Sequence, residues 1–536
     1  MAKKVVSLFL ILVMSLGIFT GCGLSKESKE SKVKLSVGIP QDATIPNYNE
    51  NAFCKYLEEA SGIDIEWVYF ASSAASAQQQ LTLMCTGGEK LPDVLLGFQG
   101  MGHYVVNQFG EDGFIVDLTD LIEKHGVNYQ KQLEKLPKET REVLADKMVN
   151  TNTGEIYSMP LVTCPAIDGR QSMVYINKTW LDNLNLEIPR TVDELYNVLV
   201  AFATQDPNQN GENDEIPMLA ESHGYNYLIN AFIQYQSGAF YVENGKVCDA
   251  TKTEEFRQAM IYINKLVTEG LYSELSFTIG DAEYKSMLSP TDEVSKVGIF
   301  GGHHESMTDA TTNALSNFTA LPALEDATGS GKGGYTMWDE YQILYTSYIT
   351  KDCKEPEKAM KLLDLFYADE TVSRMRHGEK DVDWVYEEGK NAYGTDSYVK
   401  IINGQVFFDG SLNKCTHNWL GILTHWNYLP LSIEGEGRDA DASRLQREQW
   451  QVIQESKMPK ERTGELTYTM EEYDIREKYN GTMLSALSED MVLFMTGGKD
   501  PSDDAQWQAF LKRLEDFSRE EVMKTYQSAY ERKLAK

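Results

Sequence analysis

Apolar positions recur in a regular pattern from residue 33 onward and predict strands that alternate with helices. Strands are predicted over 33–38, 63–69 and 94–96, and helices over 49–60 and from 78 onward. This β-α-β-α-β order is typical of an α/β unit with a parallel sheet. The fold class predicted for the chain is therefore α/β.

The carboxyl ends of parallel strands are the positions at which such units usually bind ligands. Gln41 follows the first predicted strand, and Phe98 and Gln99 follow the third. We therefore predict that these three residues contact a ligand.

The same analysis predicts elements along the rest of the chain. A helix begins at Thr191, where Thr191 and Glu194 have the spacing of a capping box. The other predictions are strands over 173–176, 297–300 and 343–349, and helices over 253–269, 354–366 and 507–530.

The first 22 residues differ from the rest of the chain. Lys3 and Lys4 precede an apolar run that ends in the sequence Phe19-Thr-Gly-Cys22. This segment resembles the signal peptide and lipobox of bacterial lipoproteins, in which cleavage precedes a cysteine that carries lipid. The resemblance implies a signal peptide over 1–21, lipid on Cys22, a flexible tether over 22–32 and an extracytoplasmic location at the bacterial cell membrane. An uncleaved anchor, or an ordinary signal peptide with an incidental cysteine, remains an alternative.

Composition limits the possible partners. The chain has 536 residues, 42% of them hydrophobic, which is enough for more than one core. Its formal net charge is −31, and removal of 1–21, with two lysines and no acids, leaves −33. A surface with this much negative charge repels nucleic acid and anionic lipid headgroups. We therefore expect no nucleic-acid partner, and we expect membrane contact through the lipid anchor only.

Six further cysteines follow Cys22, and their spacing contains no C-x-x-C pair. They could pair in several ways. In a chain of this size most are expected to be buried free thiols, and we predict no required disulfide.

Several short motifs follow one another along the chain. In order they are Leu91-Pro-Asp93, Gly154-Glu-Ile-Tyr157-Ser-Met-Pro160, Ile176-Asn-Lys-Thr-Trp-Leu181, Pro189-Arg-Thr-Val-Asp-Glu-Leu195 and Asp206-Pro-Asn-Gln-Asn-Gly-Glu-Asn-Asp-Glu215. Together they resemble the extracellular solute-binding proteins of carbohydrate ABC transporters, family 1, of the lipoprotein type.

The resemblance implies a fold and a function. The expected fold is a two-lobe, periplasmic-binding-protein-like fold of type II, with discontinuous lobes and a hinged cleft. We predict lobe 1 over 33–162 plus 296–372 and lobe 2 over 163–295 plus 373–536. A monomer is expected to capture a carbohydrate, an oligosaccharide in view of the chain length, and to deliver it to the permease subunits of an ABC transporter.

The last of these motifs has the pattern of a calcium loop. Side-chain oxygens at Asp206, Asn208, Asn210 and Asp214 flank Gly211, and calcium binds six to eight oxygens. The family resemblance implies that Glu215 takes the role of the missing twelfth-position acid and that Glu212 contributes its backbone carbonyl. A structural calcium ion away from the sugar is therefore predicted, and a surface turn rich in Asx residues is the alternative.

Sugars are usually bound by aromatic faces together with polar side chains. The predicted ligand-binding residues of this kind are His303, Trp338, Asp339, Tyr341, Asp383, Trp384, His417 and Trp419. A tryptophan is more often part of a core, so we expect at least one of the three tryptophans to face the ligand. The adjacent histidines His303 and His304 lack the spacing of a zinc site.

Two other functions remain open. A surface glycosidase would need a carboxylate pair, which an acidic chain can supply without a recognisable motif. A sugar sensor or adhesin without a transport role is the other. The chain contains no HExxH, Walker or nucleophile-elbow motif, so we predict a binding protein and not an enzyme.

Overall fold

The computed structural model describes residues 33–99, 101–150, 152–163, 173–235, 238–289, 294–302, 314–335, 342–416, 421–423, 431–464 and 466–535. They form a mixed α/β structure with 49% helix and 17% strand. The predictions for 1–32, including Cys22, lie outside the described residues and stay predictions.

The strands, in chain order, are β1 (Val33–Pro40), β2 (Ile63–Phe70), β3 (Val94–Leu96), β4 (Met159–Thr163), β5 (Val174–Asn177), β6 (Ile216–Leu219), β7 (Phe240–Glu243), β8 (Lys246–Asp249), β9 (Val297–Gly301), β10 (Phe318–Ala320), β11 (Gln342–Ile349), β12 (Trp384–Lys390), β13 (Asp396–Ile401) and β14 (Gly421–Leu423). The helices are α1 (Ala52–Ser61), α2 (Ala74–Gly87), α3 (His103–Glu111), α4 (Thr119–His125), α5 (Val127–Lys135), α6 (Lys138–Met148), α7 (Lys178–Leu184), α8 (Val192–Thr204), α9 (Glu221–Phe232), α10 (Glu254–Thr268), α11 (Asp281–Leu288), α12 (Pro356–Leu365), α13 (Asp369–His377), α14 (Gln405–Phe408), α15 (Arg438–Glu455), α16 (Met470–Met495), α17 (Asp504–Asp516) and α18 (Arg519–Leu534).

The first unit is built on a six-stranded sheet in the order β14-β4-β11-β3-β1-β2. β1 is parallel to β2 and β3, and β4 is parallel to β14. β11 is antiparallel to β3 and β4. The apolar core of this unit draws on residues 35–162 and 343–375. The parallel β-α-β-α-β arrangement predicted for the start of the chain is thus confirmed.

The second unit is built on a four-stranded sheet in the order β10-β5-β9-β6. Its apolar clusters draw on residues 173–324 and 442–530. The chain therefore leaves the first unit after β4, builds most of the second, and returns to the first at β11. This path agrees with the discontinuous two-lobe fold that was expected.

Three strands lie in a different unit from the one predicted. β10 was expected in lobe 1 but pairs with β5, and β14 was expected in lobe 2 but pairs with β4. β9 was expected in lobe 1, but it is parallel to β6 and antiparallel to β5. Its Ile299 lies in the core of the second unit. Periodicity shows that residues 297–300 form a strand, but the choice of sheet depends on tertiary pairing. The remaining lobe boundaries stay predictions.

Two helix predictions illustrate how local signals operate. Thr191 Oγ1 accepts a hydrogen bond from the backbone N–H of Glu194, and the Glu194 carboxylate accepts one from the backbone N–H of Thr191, so the predicted capping box is present. The single helix predicted over 507–530 is instead two helices, α17 and α18. Ser518 between them adopts a left-handed conformation with φ 63°, which an α-helix cannot contain.

The β12–β13 hairpin connects the two units. Near its base, Lys380 forms an ion pair with Glu370 of α13 at 3.3 Å. In the turn between β12 and β13, Tyr393 packs edge-on against Trp450 of α15, with ring centroids 5.7 Å apart. The hairpin thus spans from the first unit to a helix of the second.

Five of the cysteines lie among the described residues. Cys54, Cys85, Cys248, Cys353 and Cys415 are all free thiols. Burial raises the pKa of the Cys85 thiol to about 11, which keeps it protonated and unreactive at neutral pH.

Candidate functional site

The carboxyl ends of β1 and β3 lie side by side. The two strands are paired at Gly38 and Leu95, two residues before the end of β1 and one residue before the end of β3. Gln41, just beyond β1, and Gln99, just beyond β3, are both exposed. Their predicted role in ligand binding stays a prediction.

Phe98 lies at the same edge of the sheet but faces the core. Its side chain is 3% exposed and packs edge-on against Phe70, with ring centroids 5.0 Å apart. A ring covered in this way offers no face to a sugar in this conformation. The burial of Phe98 was not predicted, because alternation along so short a strand end does not reveal which side chains turn inward.

Asp383 and Trp384 also have structural roles. The Trp384 ring is fully buried, and its Nε1 donates a hydrogen bond to the carbonyl of Gly378 at 3.0 Å. Asp383 is 1% exposed and accepts bonds from Lys414 at 2.9 and 3.0 Å. Together they fix the base of the β12–β13 hairpin, so this predicted pair does not face a ligand in this structure.

The other predicted ligand-binding residues lie outside the described residues. They are His303, Trp338, Asp339, Tyr341, His417 and Trp419. Their role in binding a sugar stays a prediction.

The two units touch through aromatic side chains that the sequence analysis missed. α3 begins at His103, with Gly102 as its N-cap, shortly after the carboxyl end of β3. Tyr473, near the start of α16 in the second unit, lies 6.0 Å from the rings of both His103 and Tyr104 on α3. The sequence signal that could have drawn attention to α3 is the pair His103-Tyr104 directly after a predicted strand end.

His103 is held in place as a neutral ring. It stacks on Tyr345 of β11 at 5.3 Å, and its Nε2 lies 3.1 Å from the amide nitrogen of Asn107. Burial, together with the charge of Lys147, lowers the pKa of His103 to about 4. The imidazole is therefore uncharged at neutral pH and packs as an aromatic plate.

On the side of the second unit, the aromatic surface continues beyond Tyr473. The guanidinium of Arg476 lies 4.2 Å from the ring centroid of Tyr468 and 4.7 Å from that of Tyr526. The Tyr468 ring in turn contacts Tyr473 edge-on at 5.5 Å. The Arg476 guanidinium thus packs between the rings of Tyr468 and Tyr526, and cation–π attraction stabilises this arrangement.

A cavity of about 660 Å³ lies between α5, α13 and the β12–β13 hairpin. Its lining comprises Lys135, Asp369, Ser373, Tyr386, Glu387, Glu388, Tyr398 and Val399. None of the predicted ligand-binding residues is among them. The cavity therefore does not coincide with the strand ends where ligand binding is predicted.

The predicted calcium loop is folded around its own side-chain oxygens. The carboxylate of Asp206 accepts the backbone N–H groups of Asn210 and Gly211, both at 3.1 Å. The amide groups of Asn208 and Asn210 donate to Asp214 Oδ1 at 3.3 and 3.1 Å. Both interpretations of this loop, a calcium site and a turn rich in Asx residues, are compatible with these bonds.

Two observations concern the charge of this loop. Lys296 Nζ lies 2.7 Å from Asp214 Oδ2, and this ion pair lowers the pKa of Asp214, with help from Asn210. Glu215 Oε1 is buried and has no hydrogen-bond partner. Burial and the carboxylates of Asp206 and Asp214 raise the pKa of Glu215.

These features fit a cation in chemical terms. The side chains of the loop offer hard oxygen ligands, which calcium prefers. A bound cation would also provide a partner for the buried Oε1 of Glu215. Among the described residues, however, no group of three or more His, Cys, Asp or Glu side chains is arranged to hold a metal ion. Calcium binding would therefore need the loop oxygens to converge further.

Within the described part of the chain, none of the helices combines the length and the hydrophobicity needed to cross a membrane.

Two α/β units, with a chain that crosses between them and an aromatic contact at their strand ends, define a protein of the two-domain binding class. The sequence profile of the family described as bacterial extracellular solute-binding protein matches residues 40–372. Because this match covers more than half of the chain, the protein belongs to that family.

A curated relative is similar over part of its length. The fructooligosaccharide ABC transporter substrate-binding protein FusA of Streptococcus pneumoniae is 27% identical over 345 residues, which cover 60% of this chain and 61% of FusA. The matched segment thus spans less than two thirds of that relative.

Solved structures of FusA resemble this fold along nearly the whole chain. The complex of FusA with kestose has a TM-score of 0.75 at 22% identity and covers 94% of this chain and 99% of that one. An EF-hand mutant of FusA in complex with fructo-nystose has a TM-score of 0.74 at 21% identity, with the same coverage. These similarities show that the chain has the two-domain solute-binding fold.

Proposed function

We propose that the protein is an extracytoplasmic receptor that binds an oligosaccharide and delivers it to an ABC permease. The observation that carries this proposal is the aromatic contact between α3 and Tyr473. This contact lies beside the carboxyl ends of β1 and β3 in the first sheet. It joins the two units, and the chain crosses between these units more than once. A ligand that touches both units there would favour their closed arrangement.

Family membership supports a transport role over catalysis. Members of the family are solute-binding proteins, and FusA is named as a substrate-binding component for fructooligosaccharides. By analogy, the ligand proposed here is an oligosaccharide. Gln41 and Gln99 would hydrogen bond its hydroxyl groups, with His303, Trp338, Asp339, Tyr341, His417 and Trp419 completing the site.

The proposed location is the outer face of the cell membrane. Cleavage before Cys22 and lipid on that cysteine would leave 23–32 as a tether that holds the monomeric receptor near the permease. The net charge of −33 that remains after cleavage opposes direct contact with anionic lipid, so the anchor would provide the membrane contact.

A structural calcium ion in the 206–215 loop is part of the proposal. Asp206, Asn208, Asn210, Asp214 and Glu215 would supply side-chain oxygens and Glu212 its backbone carbonyl. Glu215 Oε1, buried without a partner, supports this assignment, as does the EF-hand for which the FusA mutant is named. Bound calcium would stabilise the folded loop, because it relieves the repulsion among its carboxylates.

Calorimetry across a panel of oligosaccharides tests the receptor proposal. We expect saturable binding of at least one oligosaccharide, with the sugar recovered intact after incubation. Kestose and nystose belong in the panel together with unrelated glycans, and peptides and amino acids serve as ligands of other classes. Cleavage of the sugar would favour a glycosidase, and binding of a different solute class alone would refute the proposal.

Melting temperature tests the calcium proposal. For the wild-type protein we expect a melting temperature a few degrees higher in calcium than in EDTA, since a ligand that binds only the folded state stabilises it. Asp206→Ala combined with Asp214→Ala should abolish this difference.

Asp326 offers a matched control for that experiment. Its carboxylate makes the same kind of turn, because it accepts the backbone N–H groups of Thr328, Gly329 and Gly331. Asp326→Ala should lower the melting temperature equally in calcium and in EDTA. Equal calcium responses in the double variant and the wild type would contradict the assignment of the loop.

A further inference from the structure

We propose that Lys296 is a built-in cation of the 206–215 loop, and that calcium must displace its ammonium group from Asp214 in order to bind. The inference rests on the calcium site proposed above and adds a residue that sets its affinity. Lys296 lies about 80 residues beyond the loop in the sequence, and no calcium-loop pattern includes it.

The backbone holds Lys296 beside the loop. β6 starts at Ile216, directly after Glu215, and β9 starts at Val297, directly after Lys296. Ile216 and Val297 are partners in the parallel ladder, and the N–H of Ile216 donates to the carbonyl of Lys296 at 2.8 Å. The lysine therefore reaches Asp214 from a fixed position in the sheet.

The charge balance of the loop explains why a cation is held there. Asp206, Glu212, Asp214 and Glu215 place four carboxylates within ten residues. One of these carboxylates, Asp214, forms an ion pair with Lys296 at 2.7 Å. The Asp214 side chain is 24% exposed and that of Lys296 is 40% exposed, so the pair lies at the protein surface.

Calcium and the ammonium group cannot both occupy this position. Asp214 Oδ1 already accepts from the amides of Asn208 and Asn210, which leaves Oδ2 as the oxygen that the lysine neutralises. A divalent ion in the loop would lie within a few ångströms of Nζ, and like charges at such a distance repel strongly near a protein surface. The lysine side chain, long and partly exposed, can swing into solvent.

Two consequences follow from this exchange. The lysine keeps the loop folded when calcium is scarce, because it offsets part of the carboxylate repulsion. It also lowers the affinity for calcium, because each binding event must first break the ion pair with Asp214.

Titration of calcium chloride into EDTA-stripped full-length protein tests the inference by calorimetry. Lys296→Met should bind calcium about tenfold more tightly than the wild type, since it loses the competing ion pair and the repulsion. In EDTA the same variant should melt at a lower temperature. Lys296→Arg keeps the positive charge and should stay within about threefold of the wild-type affinity.

Lys285→Met is the control, since Lys285 is an exposed lysine of α11 in the same unit. It should leave calcium affinity unchanged. If the wild type binds calcium and Lys296→Met binds it no more tightly, the displacement is refuted while the calcium site stands. If Lys296→Met alone binds, the lysine has replaced calcium in the native protein, which supports the inference. If neither binds, the site and the displacement are both refuted.

Discussion

Replacing Arg519 by methionine is expected to lower the free energy of unfolding by about 3 to 5 kcal/mol, because it leaves a buried carboxylate without its partner. Arg519 is 1% exposed, and its guanidinium contacts Asp249 through two bonds of 2.7 and 3.0 Å. The same group donates to the carbonyls of Gly238 and Ala239 at 2.6 and 2.8 Å. One side chain therefore ties α18 to the start of β7 and the end of β8. Urea denaturation followed by tryptophan fluorescence measures the loss.

The same helix supplies a control for that measurement. Lys524 pairs with Glu520 and Glu521 on the surface, and Lys524→Met should cost far less stability than Arg519→Met because exposed pairs contribute little. Adding Asp249→Leu to Arg519→Met should recover part of the loss, since no buried charge remains. A cost for Arg519→Met no larger than that of Lys524→Met would contradict the assignment.

The Arg519–Asp249 pair also predicts a pH dependence. Burial opposes ionisation of Asp249, but the hydrogen bonds and charge of Arg519, with help from Thr251, outweigh it and lower the pKa of the carboxyl. A lowered folded-state pKa means that the stabilisation is complete at neutral pH and is lost as acid brings the pH down through that pKa. The stability difference between wild type and Arg519→Met should therefore shrink in acid.

Local signals in the sequence predicted much of the fold. Alternation over 33–38 and 63–69 predicted β1 and β2, and Thr191 with Glu194 predicted a capping box, because these signals depend on neighbouring residues alone. The family resemblance carried by the order of motifs implied the two-unit architecture. The loop at 206–215 was recognisable because its oxygens are close together in the sequence.

Features that depend on tertiary contacts were not predictable in the same way. Trp384 follows an acidic segment, and nothing local shows that it is buried against Gly378. The strand at 297–300 is equally compatible with either sheet until its pairing with β6 is known. Lys296 and Asp214 are partners only because β6 and β9 are neighbours. Contacts between residues distant in the sequence decide such cases, and propensity cannot.

Replacing Tyr473 by alanine is expected to weaken oligosaccharide binding by about ten- to a hundredfold without unfolding the protein. The ring contacts His103 and Tyr104 across the two units, and each aromatic contact contributes roughly 0.5 to 1.5 kcal/mol. If ligand binding and closure are linked, removing contacts between the units raises the cost of closure and lowers the apparent affinity. Calorimetry with the tightest-binding oligosaccharide of the panel measures the change.

Small-angle X-ray scattering separates this effect from direct contact with the sugar. The ligand-free Tyr473→Ala protein should have a larger radius of gyration than the wild type, because fewer contacts hold the units together. Tyr479 lies on the same helix but packs within the second unit, against the cluster that contains Val522 and Tyr526. Tyr479→Ala should lower stability and leave both the affinity and the radius of gyration unchanged. Unaltered affinity and unaltered scattering in Tyr473→Ala would show that the contact between α3 and α16 does not control closure.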